Sequence, residues 1–530
     1  MRSRILALPA LALLCGLCSC GGGGDAAIAP AAPPAGAAGT IPYTAGVYPA
    51  SSTFANQCAV PRTGVDPQGR RWPDAAGSLL AEKHFLRSWT NELYLWFSEV
   101  PDSNPAATAD VPAYFDLLRT PAVLASGRRK DEFHFTYNTA EYLAASTNGT
   151  MLGYGISFDL VAATPPRRLV VQYVQPGSPA AVAGITRGAE LLRADGYDVV
   201  ADNTTTGIAA INSAAFSPAQ GSSHQLVFRD RNTTATRAVT LAAAQVTFDA
   251  VPVVSTVPTA AGRVGYLLFN DHTAASESAL RGAFETLRSA SVVDLVLDLR
   301  YNGGGYLDIA SEVAYMIAGA ARTAGHNFET LQFNSKHPTT NPVTGNRIVP
   351  TPFHDKGQGF SVTEGAALPA LNLARVYVLT SDETCSASES IINGLKGVGV
   401  TVYQFGGTTC GKPYGFYPED NCGTTYFSIQ FRGVNDMNFG DYAEGFSVTR
   451  ASGDTRAILP GCPAGDDFNH DLGDPAEAQL RTALNYQLTG ACPVVPFSAT
   501  VQAQAASGGG ETGAALTMPA YPWQHNSIRR

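Results

Sequence analysis

The sequence lacks a basic stripe. Among its 530 residues, 35 Lys and Arg stand against 44 Asp and Glu, so the formal net charge is −9. This balance argues against a nucleic-acid partner. The apolar content of 45% and the charged content of 15% are typical of a globular protein. The length indicates two to four domains.

Common metal-binding patterns are also missing. The chain contains no His-Glu-x-x-His and no pair of Cys-x-x-Cys motifs. Neither a metal nor another cofactor is therefore expected. After the first twenty residues, no segment is apolar enough to span a membrane. Any membrane attachment must therefore come from the N-terminus.

Residues 1–20 are similar to a bacterial lipoprotein signal peptide. Arg2 and Arg4 precede a short apolar run over residues 5–17, which suits a signal peptide but not a spanning helix. Lipidated Cys20 would then become the mature N-terminus and a lipid anchor. We therefore expect an exported, periplasm-facing or outer-membrane protein, since Gly21 is not the aspartate linked to inner-membrane retention. An ordinary cleaved signal without an anchor is the alternative.

The cysteines agree with export. Cleavage before Cys20 leaves an even set of six besides the lipidated residue, which predicts disulfides in an oxidising compartment. Connectivity cannot be deduced from the sequence, although Cys410 and Cys422 flank a short loop and are the favoured pair. The six are Cys58, Cys385, Cys410, Cys422, Cys462 and Cys492.

Composition and periodicity divide the chain after the signal into successive regions. The first region is rich in Gly, Ala and Pro, and the second has leucines spaced near the helical repeat. The third is β-rich and contains many glycines, and the fourth alternates strand and helix patterns. The near-continuous apolar run over residues 292–299 predicts a strand covered on both faces, as in a parallel-rich sheet with flanking helices. The predicted regions are a flexible linker (21–72), an N-terminal helical region (73–148), a β-rich domain (150–248), an α/β core (255–490) with a lid-like insertion (323–370), and a disordered tail (495–530).

The β-rich part resembles a PDZ domain of the kind associated with proteases. The string VQPGSPAAVAGITRGAELLRADG carries the resemblance. It implies that a glycine loop binds the C-terminal carboxylate of a peptide through backbone N–H groups, while the peptide adds as a strand. In this sequence the loop is Gly153, Tyr154, Gly155 and Ile156. The alternative is a small β-barrel whose glycines only form turns.

Ser386 is the candidate nucleophile. The segment Thr-Cys-Ser-Ala-Ser-Glu-Ser, residues 384–390, follows a predicted strand and opens a helix. The free N–H groups of a helix start stabilise an anion, as acyl transfer requires. The alternative is a helix cap, in which Ser386 and Glu389 form a capping box.

Lys412 is the candidate base. It follows the next predicted strand, so it leaves the same edge of a parallel sheet as Ser386. Burial can remove its charge by lowering its pKa, and a neutral amine can take the proton of a serine. A solvated loop lysine is the alternative. A phosphate-binding loop is excluded because Pro413 stands where that pattern needs Ser or Thr.

Together these segments resemble the C-terminal-processing peptidases, a Ser/Lys family. Ser-Ala-Ser-Glu starts at Ser386, Gly-Lys ends 26 positions later at Lys412, and DLVLDLRYNGGG matches a third family segment. The resemblance implies a serine endopeptidase that hydrolyses peptide bonds of protein or peptide substrates through an acyl-enzyme. It also implies that the N–H groups of Gly304 and Ala387 form the oxyanion hole. The oligomeric state stays open.

The sequence departs from the family pattern beside the base. Many members have Gln or Glu four residues after the lysine, where this chain has Phe416, so Tyr414, Glu419 or neither could serve as the third residue. His272 is an alternative base. Cys385 is a less favoured thiol nucleophile and could instead be bridged. A catalytically inactive, exported peptide-binding homologue is the alternative function.

Overall fold

The computed structural model describes residues 41–66, 69–449 and 454–493, together with Leu516. The predicted signal peptide with Cys20, residues 21–40 and 67–68 of the predicted linker, and the rest of the predicted tail lie outside these residues. Within the described part of the chain, no helix is both long and apolar enough to cross a membrane.

The N-terminal region packs around one helix, Leu79–Leu93, which Ser78 caps by accepting a hydrogen bond from the amide of Ala81. Buried Arg87 of this helix pairs with Asp102 at 2.6 Å and donates to the carbonyl oxygen of Val47. The remaining helices are Val111–Asp116 and Thr139–Asn148, the 3-10 helices are Ser51–Thr53, Phe97–Glu99 and Pro105–Ala107, and the strands are Gln57–Cys58, Ala75–Ala76 and Phe135–Asn138.

The composition predicts a flexible linker through residue 72, but residues 41–66 are packed against this helix. Arg87 lies over the ring of Tyr48 at 4.2 Å, and a disulfide joins Cys58 to Cys422 in the core. A Gly- and Pro-rich composition does not reveal such long-range partners, and they are what order this stretch.

Residues 150–248 form what we call the β-rich module. In it, Ser223–Arg229 pairs antiparallel with Thr236–Ala242. Strand Ile156–Ala162 lies at one edge of the six-stranded sheet that contains this pair. The other strands are Thr150–Gly153, Arg168–Val174, Glu190–Ala194, Tyr197–Asp198 and Ala244–Thr247, and the helices are Pro179–Val182, Thr205–Ile211 and the π-helical Asn212–Phe216.

The core contains a six-stranded sheet in which the first pair is antiparallel and all other pairs are parallel. The predicted parallel-rich sheet is therefore confirmed. Apolar clusters cover both faces, which explains why its central strands are apolar throughout. In spatial order the strands are Val253–Thr259, Gly262–Leu268, Asp294–Asp298, Arg375–Thr380, Thr401–Gly406 and Gly461–Cys462. The helices are Ser276–Ser289, Leu307–Ala318, Ala320–Thr323, Ala387–Gly397 and Ala478–Thr489, with one 3-10 helix, Thr455–Ala457.

Two smaller sheets flank the core. The region predicted as an irregular insertion contains strands Asn327–Phe333 and Thr351–Pro352, which join Phe431–Val434 and Tyr414–Gly415 in one sheet. The other sheet contains Glu419–Asn421, Thr424–Phe427 and Phe135–Asn138, so it binds the N-terminal region to the core. The neighbouring strands Thr424–Phe427 and Phe431–Val434 thus belong to different sheets.

A buried charge cluster joins the β-rich module to the core. Arg300 is fully buried and pairs with Asp298 at 2.9 Å, and with Glu477 and Asp466 at 2.8 Å. Arg187 of the module donates to the hydroxyl of Tyr301 at 2.6 Å and also pairs with Asp466. Since buried charges are tolerated only when paired, this cluster fixes how the two parts meet.

Replacing Arg300 by methionine is expected to lower the free energy of unfolding by about 3–5 kcal/mol, because three carboxylates lose their buried partner. Arg456→Met is the matched control, since Arg456 is more than half exposed and pairs with Asp454 at the surface. Urea unfolding followed by circular dichroism measures both variants. Equal losses in the two variants would contradict the prediction.

Candidate active site

The predicted nucleophile and base both follow strands of the core sheet. Ser386 comes after Arg375–Thr380, and Lys412 comes after Thr401–Gly406, the parallel neighbour of that strand. The glycine segment, residues 302–305, follows Asp294–Asp298 on the other side. Three consecutive strands therefore deliver these segments to one edge of the sheet, as the sequence predicts.

Ser386 has an unusual backbone conformation at the start of the helix Ala387–Gly397. Its φ of 66° and ψ of −119° lie in a region that non-glycine residues rarely adopt. Such a conformation costs about 1–3 kcal/mol and persists only where the surroundings impose it. Here the amide of the preceding residue, Cys385, donates to the carbonyl oxygen of Asn302 at 3.0 Å.

The carboxylate of Glu389 joins the start of this helix to the lysine loop, residues 407–413. It accepts from the amide of Ser386 at 3.0 Å and from the amides of Gly411 and Lys412 at 2.9 and 2.8 Å. The hydroxyl of Thr409 also donates to it. Burial raises the pKa of Glu389, and these hydrogen bonds oppose that effect. The predicted capping residue therefore also fixes the loop that carries the base.

A disulfide between Cys385 and Cys410 makes a second link between the same two segments. The favoured pairing of Cys410 with Cys422 is wrong, because Cys422 pairs with Cys58 and Cys462 with Cys492. Short separation along the chain misled that prediction, since the sheet brings the loops of neighbouring strands together. Bridged Cys385 offers no thiol nucleophile in this structure.

The side chain of Lys412 is fully buried. Burial lowers the pKa of its amine from the usual 10.5 to about 7, while attraction to Asp131 and Glu389 acts in the opposite direction. A lysine with such a pKa is neutral in about half of the molecules near pH 7, against a very small fraction for an ordinary lysine. The solvated loop lysine considered from the sequence is thereby excluded.

Aromatic rings surround the amine of Lys412. Its Nζ lies 4.4 Å from the ring centre of Phe416 and 5.0 Å from that of Phe133. Phe416, at the position where the family has Gln or Glu, thus contacts the amine with its ring face. The other two candidates for the third residue, Tyr414 and Glu419, lie on strands. Tyr414 packs edge-on against Trp96, with ring centres 4.8 Å apart. Glu419 lies opposite Tyr426 in an antiparallel strand pair.

The glycine segment lies directly against Ser386. Gly304 has a φ of +104°, and a Cβ there would be 2.6 Å from the Cβ of Ser386 and 2.9 Å from the amide nitrogen of Ala387. The structure thus brings three predicted residues together. However, the amide of Gly304 donates to Asn302 Oδ1 at 3.0 Å. In this conformation it therefore does not point at a substrate oxygen, which the predicted oxyanion hole would require.

His272, the alternative base, lies behind the glycine segment. Its Nδ1 is 3.0 Å from Asn302 Oδ1, and its Nε2 is buried without a hydrogen-bond partner. Burial lowers the pKa of His272 to about 3. Because a general base works best when its pKa is near the working pH, Lys412 is better suited than His272.

A cavity of about 400 Å³ connects the β-rich module with this site. Gly153 to Ile156, the predicted peptide-binding loop, line it together with Gly303 and Cys385. The side chain of Tyr154 points into the module core, where its hydroxyl donates to the carbonyl oxygen of Ala214 at 3.0 Å. Only the backbone of this position is therefore suited to contact a ligand.

Residues 263–415 match the description "Peptidase family S41". This range contains the glycine segment, Ser386 and Lys412. Over this range the chain is similar to a peptidase family S41 domain. Its predicted kinship with the C-terminal-processing peptidases is confirmed by a curated relative, "Carboxyl-terminal-processing peptidase 2, chloroplastic" of Arabidopsis thaliana, which is 35% identical over 184 residues. That match covers 32% of this chain, which spans only 33% of the relative's length.

One solved structure shows the same fold, and a second aligns more weakly. A Bacteroides fragilis NCTC 9343 protein assigned to the S41 proteases aligns with a TM-score of 0.56 at 23% identity, over 79% of this chain and 99% of the other. The photosystem II D1 C-terminal processing protease aligns with a TM-score of 0.42 at 18% identity, over 73% of this chain and 94% of the other.

Sequence reasoning missed two residues of this candidate site. Asn302 contacts both Gly304 and His272 through one side-chain oxygen. Its position directly before the glycines in the sequence is the signal that could have identified it. Asp131 acts electrostatically on Lys412, although it lies 281 positions earlier in the chain. No local pattern marks such a residue.

Gly304→Ala is expected to lower the free energy of unfolding by about 1–3 kcal/mol or more, because a side chain disfavours its positive φ and would collide with Ser386. Gly407→Ala is the matched control, since its Cβ would be 3.6 Å from the nearest atom. Urea unfolding compares the two. A control variant that loses as much stability as Gly304→Ala would contradict this explanation.

Proposed function

We propose that this chain is a serine endopeptidase that cleaves peptide bonds through an acyl-enzyme on Ser386, with Lys412 as the base. One observation carries the proposal: a buried lysine amine with a pKa of about 7 lies in a loop tied to the start of the Ser386 helix. Glu389 and the Cys385–Cys410 disulfide make that tie. The S41 match supports the same reaction.

In the proposed reaction, Ser386 Oγ forms a bond to the scissile carbonyl carbon while its proton passes to Lys412 Nζ. The C–N bond then breaks, and Lys412 returns the proton to the leaving amine. A water molecule attacks the resulting ester, gives its proton to Lys412, and the proton finally returns to Ser386 as the ester bond breaks. The amide of Ala387, at the helix start, is the proposed oxyanion donor. Gly304 would join it only after its amide leaves Asn302.

The β-rich module is proposed to act as a PDZ-like domain that recognises the C-terminus of a substrate. Its strand Ile156–Ala162 is a sheet edge that an extended peptide can extend. The glycine loop before this strand lines the cavity that also reaches Gly303 and Cys385. A peptide held there would lie beside the nucleophile.

Export as a lipoprotein anchored at Cys20 is part of the proposal. The three disulfides among the described residues support an oxidising compartment. The sequence of residues 1–20 supports the lipid anchor and a periplasm-facing or outer-membrane location.

An inactive peptide-binding homologue is the second candidate. Phe416 replaces the residue that orients the lysine in the family, and the amide of Gly304 is engaged with Asn302. Both features would also suit a protein that holds peptides without cutting them. The experiment that follows separates the two candidates.

A fluorophosphonate probe is expected to label the wild-type protein at Ser386, and labelling is expected to vanish in Ser386→Ala and Lys412→Met. Labelling should fall as the pH drops below about 7, because protonated Lys412 cannot accept the serine proton. Lys396→Met is the matched control: burial also lowers the pKa of this lysine, to about 8, but it lies at the far end of the same helix. Folded wild-type protein that never reacts would favour the inactive homologue.

Peptides with a free C-terminal carboxylate are expected to be cleaved with a KM roughly tenfold lower than their C-terminal amides, since an N–H group bound to a charged acceptor contributes about 1.5–3 kcal/mol. Steady-state kinetics on matched peptides measure this difference. Acetylating the N-terminus of the same peptides serves as the control and should leave KM unchanged. Equal KM values for acid and amide would refute recognition of the chain end.

A further inference from the structure

The N-terminal region also contributes to the pocket of the buried base. Arg128 donates through Nη2 to the carbonyl oxygen of Cys410 at 3.0 Å, two residues before Lys412. Phe133 contacts Lys412 with its ring at 5.0 Å from Nζ. Residues 128–134 therefore form one wall of the lysine pocket.

Asp131 lies in the middle of this wall and is fully buried. Its Oδ2 accepts a hydrogen bond from the hydroxyl of Tyr94 at 2.6 Å, and its Oδ1 accepts from the amide of Phe133 at 2.9 Å. Nδ1 of His134 is 3.9 Å from Oδ2, and burial lowers the pKa of that histidine. The carboxylate is thus held rigidly by neutral groups.

Two carboxylates act on Lys412, and they are bonded differently. The carboxylate oxygens of Glu389 accept hydrogen bonds from the amides of Ser386, Gly411 and Lys412 and from the hydroxyl of Thr409. Asp131 accepts one hydrogen bond on each oxygen, which leaves it further acceptor capacity. Of the other charged groups of the wall, Arg128 and Glu132 pair with each other where both are about one-third exposed. Lys130 pairs with Glu99 at 2.6 Å, and Arg129 is exposed.

We propose that Asp131 is the third member of the site, a residue of the pocket wall that stabilises the ammonium form of Lys412 when it carries the serine proton. The proposal rests on the proposed Ser/Lys reaction. A buried ammonium is costly unless a carboxylate compensates it, and the usual position for an orienting group holds Phe416. Asp131 supplies from the N-terminal region what that position lacks.

The test compares Asp131→Asn with wild type in the full-length protein. Loss of the attraction lowers the pKa of Lys412, so the acid limb of kcat against pH should move from near 7 to lower pH by about 1 unit. The plateau kcat should fall roughly tenfold, since one pKa unit is a tenfold change in proton affinity. KM should stay constant, because Asp131 lies in the lysine pocket and is not among the residues that line the substrate cavity.

Glu132→Gln is the matched control. It removes a carboxylate from the same wall, one residue away, but at the surface, so both the acid limb and kcat should remain as in wild type. A limb that moves equally in both variants would mean a general charge effect and would overturn the proposal. Should Asp131→Asn fail to fold, Tyr94→Phe removes only the hydroxyl that orients Asp131; a wild-type kcat in that variant would also overturn it.

A readout without activity separates this proposal from the proposed function. The ε-carbon resonance of ¹³C-labelled Lys412 reports its titration in the Ser386→Ala background, where no reaction occurs. A lower midpoint after Asp131→Asn supports the coupling, and an unchanged midpoint overturns it. If the wild type reacts with the fluorophosphonate while this midpoint is unchanged, the peptidase stands and the role of Asp131 falls.

Discussion

The site depends on one constraint: the amine of Lys412 is withdrawn from water. An ammonium ion loses far more solvation than the neutral amine when it is buried, and this difference brings its pKa to about 7. The constraint holds only while the lysine loop stays closed against its neighbours. Glu389, the Cys385–Cys410 disulfide and the rings of Phe133 and Phe416 all act on that loop.

The same constraint gives the N-terminal region a role beyond packing. Without residues 128–134, one wall of the lysine pocket would open to solvent, and the desolvation that lowers the pKa would weaken. The region is tied to the core in several places, including strand pairing of Phe135–Asn138 with Thr424–Phe427 and the Cys58–Cys422 disulfide. Residues far apart in the chain thus maintain a single dry pocket.

The sequence was sufficient for features that follow from order along the chain. Consecutive parallel strands place their following loops at one edge, so the proximity of the segments that carry Ser386 and Lys412 could be predicted from the alternation of strands and helices. The pairing of Cys58 with Cys422 spans 364 positions, and the effect of Asp131 on Lys412 is similarly long-range. Such contacts depend on tertiary packing, which no local pattern encodes. Because their partners are also distant in the chain, the composition predicts residues 41–66 as linker although they are packed.

The disulfide links the chemistry of the site to the compartment proposed for the chain. Cys385 precedes the strained Ser386, and Cys410 lies two residues before Lys412, so the bond fixes the two segments that the reaction needs together. Such a bond persists in an oxidising environment but is reduced in most cytosols. After reduction, only hydrogen bonds would join the helix start to the lysine loop, those of the Glu389 carboxylate and the one from the amide of Cys410 to the carbonyl oxygen of Thr384. The arrangement therefore suits an exported protein better than a cytosolic one, for a reason independent of the N-terminal residues.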